Sequence, residues 1–298
     1  MTVRTKGAPS DAGWRPALAA ALAGGAIGLA ALLGPELAGA DETPSGEQHQ
    51  DEGEPALAQE EGHAHDASEA MHDNYIFGRP AEPSETWLIS IGGRIYDNWW
   101  MALNRDAPEE THPGWPSSNT QKAGDVTWRC SACHGWDYLG ADGQHGSDDY
   151  RTGVGGVRTA EGRALEEIAT ILRDERHRYS EAMISDGEAL WLARFLSRGQ
   201  HEADALIDKA SGRALGDPQR GKEIFQNICA ACHGYDGTAL DWGEGTAHAH
   251  VGTEANGNPW EVLHKIRNGN PGHEMISLRA FTIEDAVSVL TYAQSLPR

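Results

Sequence analysis

The chain is 298 residues long and carries 45 acidic against 24 basic side chains, a formal net charge of -21. Such a surface repels nucleic acid and anionic lipid, and it selects basic docking partners through a field that salt weakens. Only four cysteines are present, and they fall in two close pairs.

At the start, Arg4, Lys6 and Arg15 precede a run of Ala, Leu and Gly from Pro16 to Leu33, closed by Ala38-Gly39-Ala40. A basic segment, an apolar segment and an A-x-A site make residues 1–40 a secretory signal cleaved after Ala40, which sends the protein to the periplasm. The run of ~18 apolar or small residues is at the lower edge of a bilayer span, so an uncleaved anchor is the competing reading. No later segment approaches a span, and none is expected to persist after cleavage. Residues 41–84 hold twelve Asp/Glu and one Arg, with almost no apolar spacing. They cannot bury enough surface to offset their chain entropy and read as a disordered acidic tether. His49, His63, His65 and His72 lie in it; His63-Ala64-His65-Asp66 offers metal donors, against which stands the plain reading of a solvated tail.

From Ser84 onward the sequence reads as folded, and it repeats itself. Gly92 to Trp100 lies on Gly221 to Cys229 with Gly, Ile, an aromatic and Asn at the same offsets. Ser185 to Glu188 is a capping box opening an apolar stretch through Leu192, Phe195 and Leu196. Shifted by 97 positions, Thr282 to Asp285 opens Val289, Tyr292 and Leu296 in the same pattern, so that Phe195 and Tyr292 coincide. A further helix is predicted over 163–173 and again over 259–267, each ending in an Ile/Leu-Arg pair before a polar loop. Each half is therefore helix, cysteine motif, long loop, helix, polar loop, helix: a duplicated all-α module.

The cysteine motif is Cys130-Ser131-Ala132-Cys133-His134, and again Cys229-Ala230-Ala231-Cys232-His233. Cys-x-x-Cys-His places two thiols for the two vinyl groups of one haem and the next imidazole under its iron. A zinc site would bring its pairs roughly 15 to 20 residues apart, and a thioredoxin-like pair would need a βαβ unit. Here 95 positions separate His134 from Cys229, and both pairs carry the His. Two covalently bound c-type haems are thus expected, on Cys130 and Cys133 and on Cys229 and Cys232, with His134 and His233 on the irons. The sixth ligands are sought in the two polar loops, where Met275 follows Pro271-Gly272 and Met183 takes the equivalent place. A thioether favours ferrous iron and raises the potential, as an electron carrier needs. In the first loop His177 competes with Met183. Arg173, Arg267 and Lys265 are candidates for haem propionates, and the tryptophans, Trp242 among them, for packing against haem. His248-Ala249-His250 resembles a metal pair on a surface loop.

Gly221 to His233 (GKEIFQNICAACH) and Pro271 to Met275 (PGHEM) resemble periplasmic dihaem cytochromes c made of two tandem class I cytochrome c domains. The likeness covers roughly 84–298 and is clearest from Gly216 on. It implies an all-α fold with long loops in two domains, 85–205 and 206–298, behind the disordered segment 41–84. It also implies His/Met-ligated iron and outer-sphere electron transfer between periplasmic redox proteins with basic docking surfaces. The same chemistry serves the haem subunit of a larger dehydrogenase, and no catalytic residue is expected. The first half departs from the family by an insertion, 101–129, containing His112-Pro113-Gly114, and by lacking Pro-Gly-x-x-Met. A competing class is a dihaem redox enzyme working at the first haem. A sulfur-compound dehydrogenase would use cysteine beyond haem attachment, and none is left over. A peroxidase would need a displaceable sixth ligand with acid–base groups beside it, for which His177 and Glu181 are the candidates.

Overall fold

The computed structural model describes residues 79–298 except Gly245. The signal at 1–40, the tether up to residue 78 and its four histidines lie outside the described residues. At the tether's end, the Arg79 guanidinium sits 5.3 Å above the Trp191 ring.

Helix α1, Glu85–Ala102, begins where the Ser84 hydroxyl accepts a hydrogen bond from the Trp87 amide, meeting one of the donors that a helix start leaves unpaired. It bends at Asn98 (φ -153°, ψ 98°), whose side chain then caps the Met101 amide at 3.1 Å. After the 101–129 insertion come the short α2, Cys130–His134, then α3, Leu165–Ile171, and α4, Asp186–Arg198. The expected capping box is present, Ser185 and Glu188 satisfying each other's amides. A short helix α5, Ala203–Leu206, leads into the paired strands β1, Ile207–Asp208, and β2, Arg213–Ala214. The second half runs α6, Pro218–Ile224; a π-helical turn, Phe225–Cys229; α7, Ala230–His233; α8, Val251–Gly257; α9, Pro259–Asn268; and α10, Ile283–Ala293. Among the described residues the fold is thus helix-rich, with one two-residue ribbon.

The matched positions of the two halves make the same contacts. Gly92 on α1 lies against the Trp191 carbonyl of α4, and Gly221 on α6 against the Ser288 carbonyl of α10; a Cβ at either would collide with that backbone. Glycine is used there for close helix approach. One turn on, Tyr96 meets Phe195 at 5.4 Å between ring centroids, and Phe225 meets Tyr292 at 5.5 Å. The halves part at Asn98 and Asn227. In the second, the π turn carries the helix straight into the cysteine motif; in the first, the bend sends α1 on to Ala102 and out into the insertion.

The described residues belong to one compact unit with two apolar clusters. The first draws on Ile91 to Leu196 and the second on Ile207 to Leu296. Between them runs a polar seam. Ser90 Oγ and Arg94 Nε donate to the Asn268 carbonyl at 2.9 and 2.8 Å. His264, fully buried, donates from Nε2 to the Gly93 carbonyl at 2.8 Å and accepts at Nδ1 from the Tyr138 hydroxyl at 2.9 Å. Asp97, also buried, pairs with Arg129 and with Lys265. A charge so enclosed persists only when it is paired and hydrogen-bonded. The two cations hold the Asp97 carboxyl below its ordinary range against burial, which pushes the other way.

Candidate metal centres

In the first half, α2 presents Cys130, Cys133 and His134 one after another on a single helical turn. Gly135 ends it with φ 77° and ψ 161°, its amide bonded to the Ser131 carbonyl at 2.9 Å, and the His134 carbonyl accepts from Gly140 at 2.8 Å. The second motif has the same frame. Gly234 has φ 76° and ψ 160°, its amide bonds the Ala230 carbonyl at 3.0 Å, and the His233 carbonyl accepts from Ala239 at 3.0 Å. Two pentapeptides of one sequence pattern therefore end in one backbone conformation.

Around the first motif, His134 Nδ1 donates to the Gly155 carbonyl at 2.7 Å. That bond fixes the tautomer and leaves Nε2 as the nitrogen able to bind metal. Burial lowers the imidazole pKa to about 4, so the ring stays neutral. Burial pushes the Cys130 and Cys133 thiols up to about 12, away from the low pKa of a cationic, thiolate-stabilising environment. The helix itself is pinned from behind: His145 Nε2 donates to the Ser131 carbonyl at 2.7 Å while its Nδ1 lies 2.6 Å from Asp148. Arg129, one residue before Cys130, is anchored on Asp97. Facing His134 is His177, its ring centroid 6.2 Å away and its plane inclined by 25°. Met183 packs against the first apolar cluster, as Met275 does against the second, and its carbonyl accepts from Arg105.

Around the second motif, Cys229, His233 and Met275 line one cavity of about 260 Å³, with Phe225, Trp242 and Lys265 among its other walls. Here the sequence-predicted ligands are brought to a shared space. The buried His233 Nδ1 has no hydrogen-bond partner, a state a buried polar group seldom keeps. The cavity brings together a thiol, an imidazole and a thioether, part of the donor set spaced for haem, while Cys232, the second thiol of the motif, is exposed. The Met275 carbonyl is tied to Arg94 Nη2 of α1 at 2.8 Å, so the first half holds the ligand loop of the second.

Other sequence expectations fare differently. Arg173 and Arg267 clamp backbone: Arg173 donates to the carbonyls of Tyr179, Ser180 and Ile184, Arg267 to those of Leu278, Phe281 and Thr282. Each arginine fastens its loop's far end; Arg173 spends both Nη atoms on oxygen acceptors, whereas Arg267 spends Nη1 on the loop and keeps a buried Nε without a partner. Lys265 does reach the second cavity. Glu181 is engaged by Arg173 at 2.9 Å and by the Asp186 amide at 3.1 Å. Trp99, Trp100, Trp128 and Trp136 are buried as packing residues should be, but Trp242 is 48% exposed and sits 5.8 Å from the His233 ring. His248 and His250 are joined by Asp241, their ligand atoms within 4.8 Å of one another. His145, Gly155 and Asp97 escaped sequence reasoning, because each acts across a loop with no spacing pattern to announce it. Among the described residues no helix is long and apolar enough to cross a membrane.

The family described as cytochrome C oxidase, cbb3-type, subunit III matches residues 216–292. That stretch begins before α6 and ends within α10, so it contains the second motif, Met275 and the cavity walls other than Ala293. The match supports a c-type cytochrome over this stretch, and cytochrome c domains transfer electrons through covalently bound haem iron. No curated protein matches the chain.

Proposed function

We propose that the protein is a dihaem cytochrome c, exported to the periplasm by residues 1–40, that carries electrons between redox proteins by outer-sphere transfer. The observation that carries this reading is the common frame of the two Cys-x-x-Cys-His turns, with the same cap angles within 1° and the same carbonyl bonds within 0.2 Å. Residues 85–205 then form one haem domain and residues 206–298 the other. Cys130, Cys133 and His134 attach and ligate the first haem; Cys229, Cys232, His233 and Met275 attach and ligate the second.

Bound haem would supply an iron that takes one electron from a donor and yields it to an acceptor; the polypeptide fixes the haems and their surroundings. Between the two sites stand Trp136, packed 5.2 Å from His264, and the Arg129–Asp97–Lys265 charges. Both cations also lie over the Trp136 ring, at 5.6 and 5.7 Å. This seam joins the sites through packed and charge-paired side chains, which suits exchange between haems inside one unit. The net charge of -21 directs the outer surface toward partners with basic docking faces.

Acid-acetone extraction of the purified protein tests the covalent count. Colour should remain with the polypeptide at two haems per chain, and Cys130→Ala with Cys133→Ala should remove one haem and spare the other. Complete extraction of colour would end the proposal.

A further inference from the structure

We propose that the iron of the first haem is held between two imidazoles, His134 and His177, and that Met183 is a packing residue. This rests on the dihaem reading and goes beyond it by naming an unlike ligand pair for the first site.

The first observation is the ring geometry. Two imidazoles that share one metal each stand about 2 Å from it at the bonded nitrogen, so their centroids lie about 6 Å apart once the ring radii are added. His134 and His177 are 6.2 Å apart with nearly parallel planes. Rings in plain contact also lie roughly 4.5–7 Å apart, so this spacing admits a metal and two bonds without requiring them, and the nitrogens and the loop position carry the argument further. The second observation is the state of the nitrogens. His134 Nδ1 donates to the Gly155 carbonyl, and His177 Nδ1 donates to Asp174 Oδ1 at 3.0 Å. In both rings Nδ1 is engaged by an oxygen acceptor and Nε2 is left to ligate, the arrangement that orients metal-bound histidine.

The third observation is position in the loop. Met275 lies seven residues before Thr282, the cap of α10. In the first half His177 lies eight residues before Ser185, the cap of α4, whereas Met183 lies only two before it. Met183 is thus drawn to the helix start beside the buried Ile184, and His177 takes the depth that Met275 has in the second half.

The insertion that sets the first half apart supports this same segment. His112 Nε2 donates to the His177 carbonyl at 2.8 Å, and its Nδ1 accepts from the Gly114 amide at 2.9 Å. The His112 ring is wedged against Trp128 at 4.3 Å. Where the second loop relies on Pro271-Gly272, the first relies on a strap from residues 101–129. His112 is accordingly a positioning residue for His177.

The experiment uses the full chain with its haems. Haem content is measured first: one haem per chain would overturn the dihaem reading and this inference with it, and two allow the ligands to be read. Near-infrared magnetic circular dichroism of the ferric protein should then show a single methionine-to-iron band, from Met275, beside a bis-imidazole band. Two methionine bands, or a first haem that is high-spin, would overturn the inference while leaving the dihaem reading intact. Met183→Leu should alter neither spectrum nor potentials, and His177→Met should create a second methionine band and raise the first potential. Loss of a methionine band in Met183→Leu would likewise overturn it. His112→Ala should speed cyanide capture at the first iron by about fivefold, the worth of one hydrogen bond, without changing the resting ligand spectrum. An unchanged rate would remove His112 from the strap.

Discussion

Gly92 and Gly221 show how one atom decides the fold at the residue scale. Each lets a helix touch the backbone of its partner, and each faces a carbonyl that cannot move without moving α4 or α10. Gly92→Ala or Gly221→Ala should therefore destabilise the protein, by at least the roughly 1–3 kcal/mol typical of overpacking, in spite of alanine's better helix propensity. Thermal or denaturant unfolding of the holoprotein would measure it. A stabilised Gly221→Ala variant would show that the crossing relaxes freely. The cysteine turns belong to the same scale, and they were the most legible part of the sequence. Their chemistry requires contiguous residues, so pattern and geometry coincide. His177 was visible only as a competitor of Met183, because ligand choice depends on where Ser185 caps the next helix and on what the insertion holds.

At the scale of elements, the helix starts at Ser185 and Thr282 were readable because a cap is a local bond between one side chain and an amide two or three residues on. The Ser185 and Thr282 hydroxyls accept as expected, and Ser84 caps α1 in the same way. The bend at Asn98 and the π turn after Ile224 were not readable. They settle how a helix reaches the cysteine motif, and that depends on the insertion's path rather than on any local preference. The loops between α3 and α4 and between α9 and α10 take their shape from Arg173 and Arg267, each feeding several carbonyls that would otherwise lack donors. Arg267→Ala should loosen the Met275 loop, so that cyanide captures the second iron faster while the first is unaffected; Arg173→Ala should do the reverse. Stopped-flow ligand binding on the ferric protein separates the two irons. An equal response at both would mean that the clamps act on the whole unit instead of on their own loops.

For the whole molecule the governing feature is the seam between α1 and α9, which no periodicity foretold because its partners lie far apart in sequence. His264 is its centre. The ring must stay neutral to accept from Tyr138 while donating to Gly93, and burial, aided by the Lys265 and Arg279 charges, lowers its pKa to about 4. Asp97 and the Gly93 carbonyl favour the charged ring but do not outweigh burial. His201, beside the Tyr138 ring, is also held well below its ordinary value by burial. In the unfolded chain such a histidine titrates near 6.5. The unfolded state thus binds the proton first, and the stability that the neutral ring contributes is fully present above pH 6.5. It is lost as the pH falls from there toward 4, at a limiting slope of about 1.4 kcal/mol per pH unit. His264→Gln keeps a neutral donor for Gly93 and removes the titration. Its denaturation midpoint should fall less steeply than that of the native protein between pH 6.5 and 4, with some slope remaining from His201. Parallel slopes for the two proteins would show that the seam is not what acid attacks.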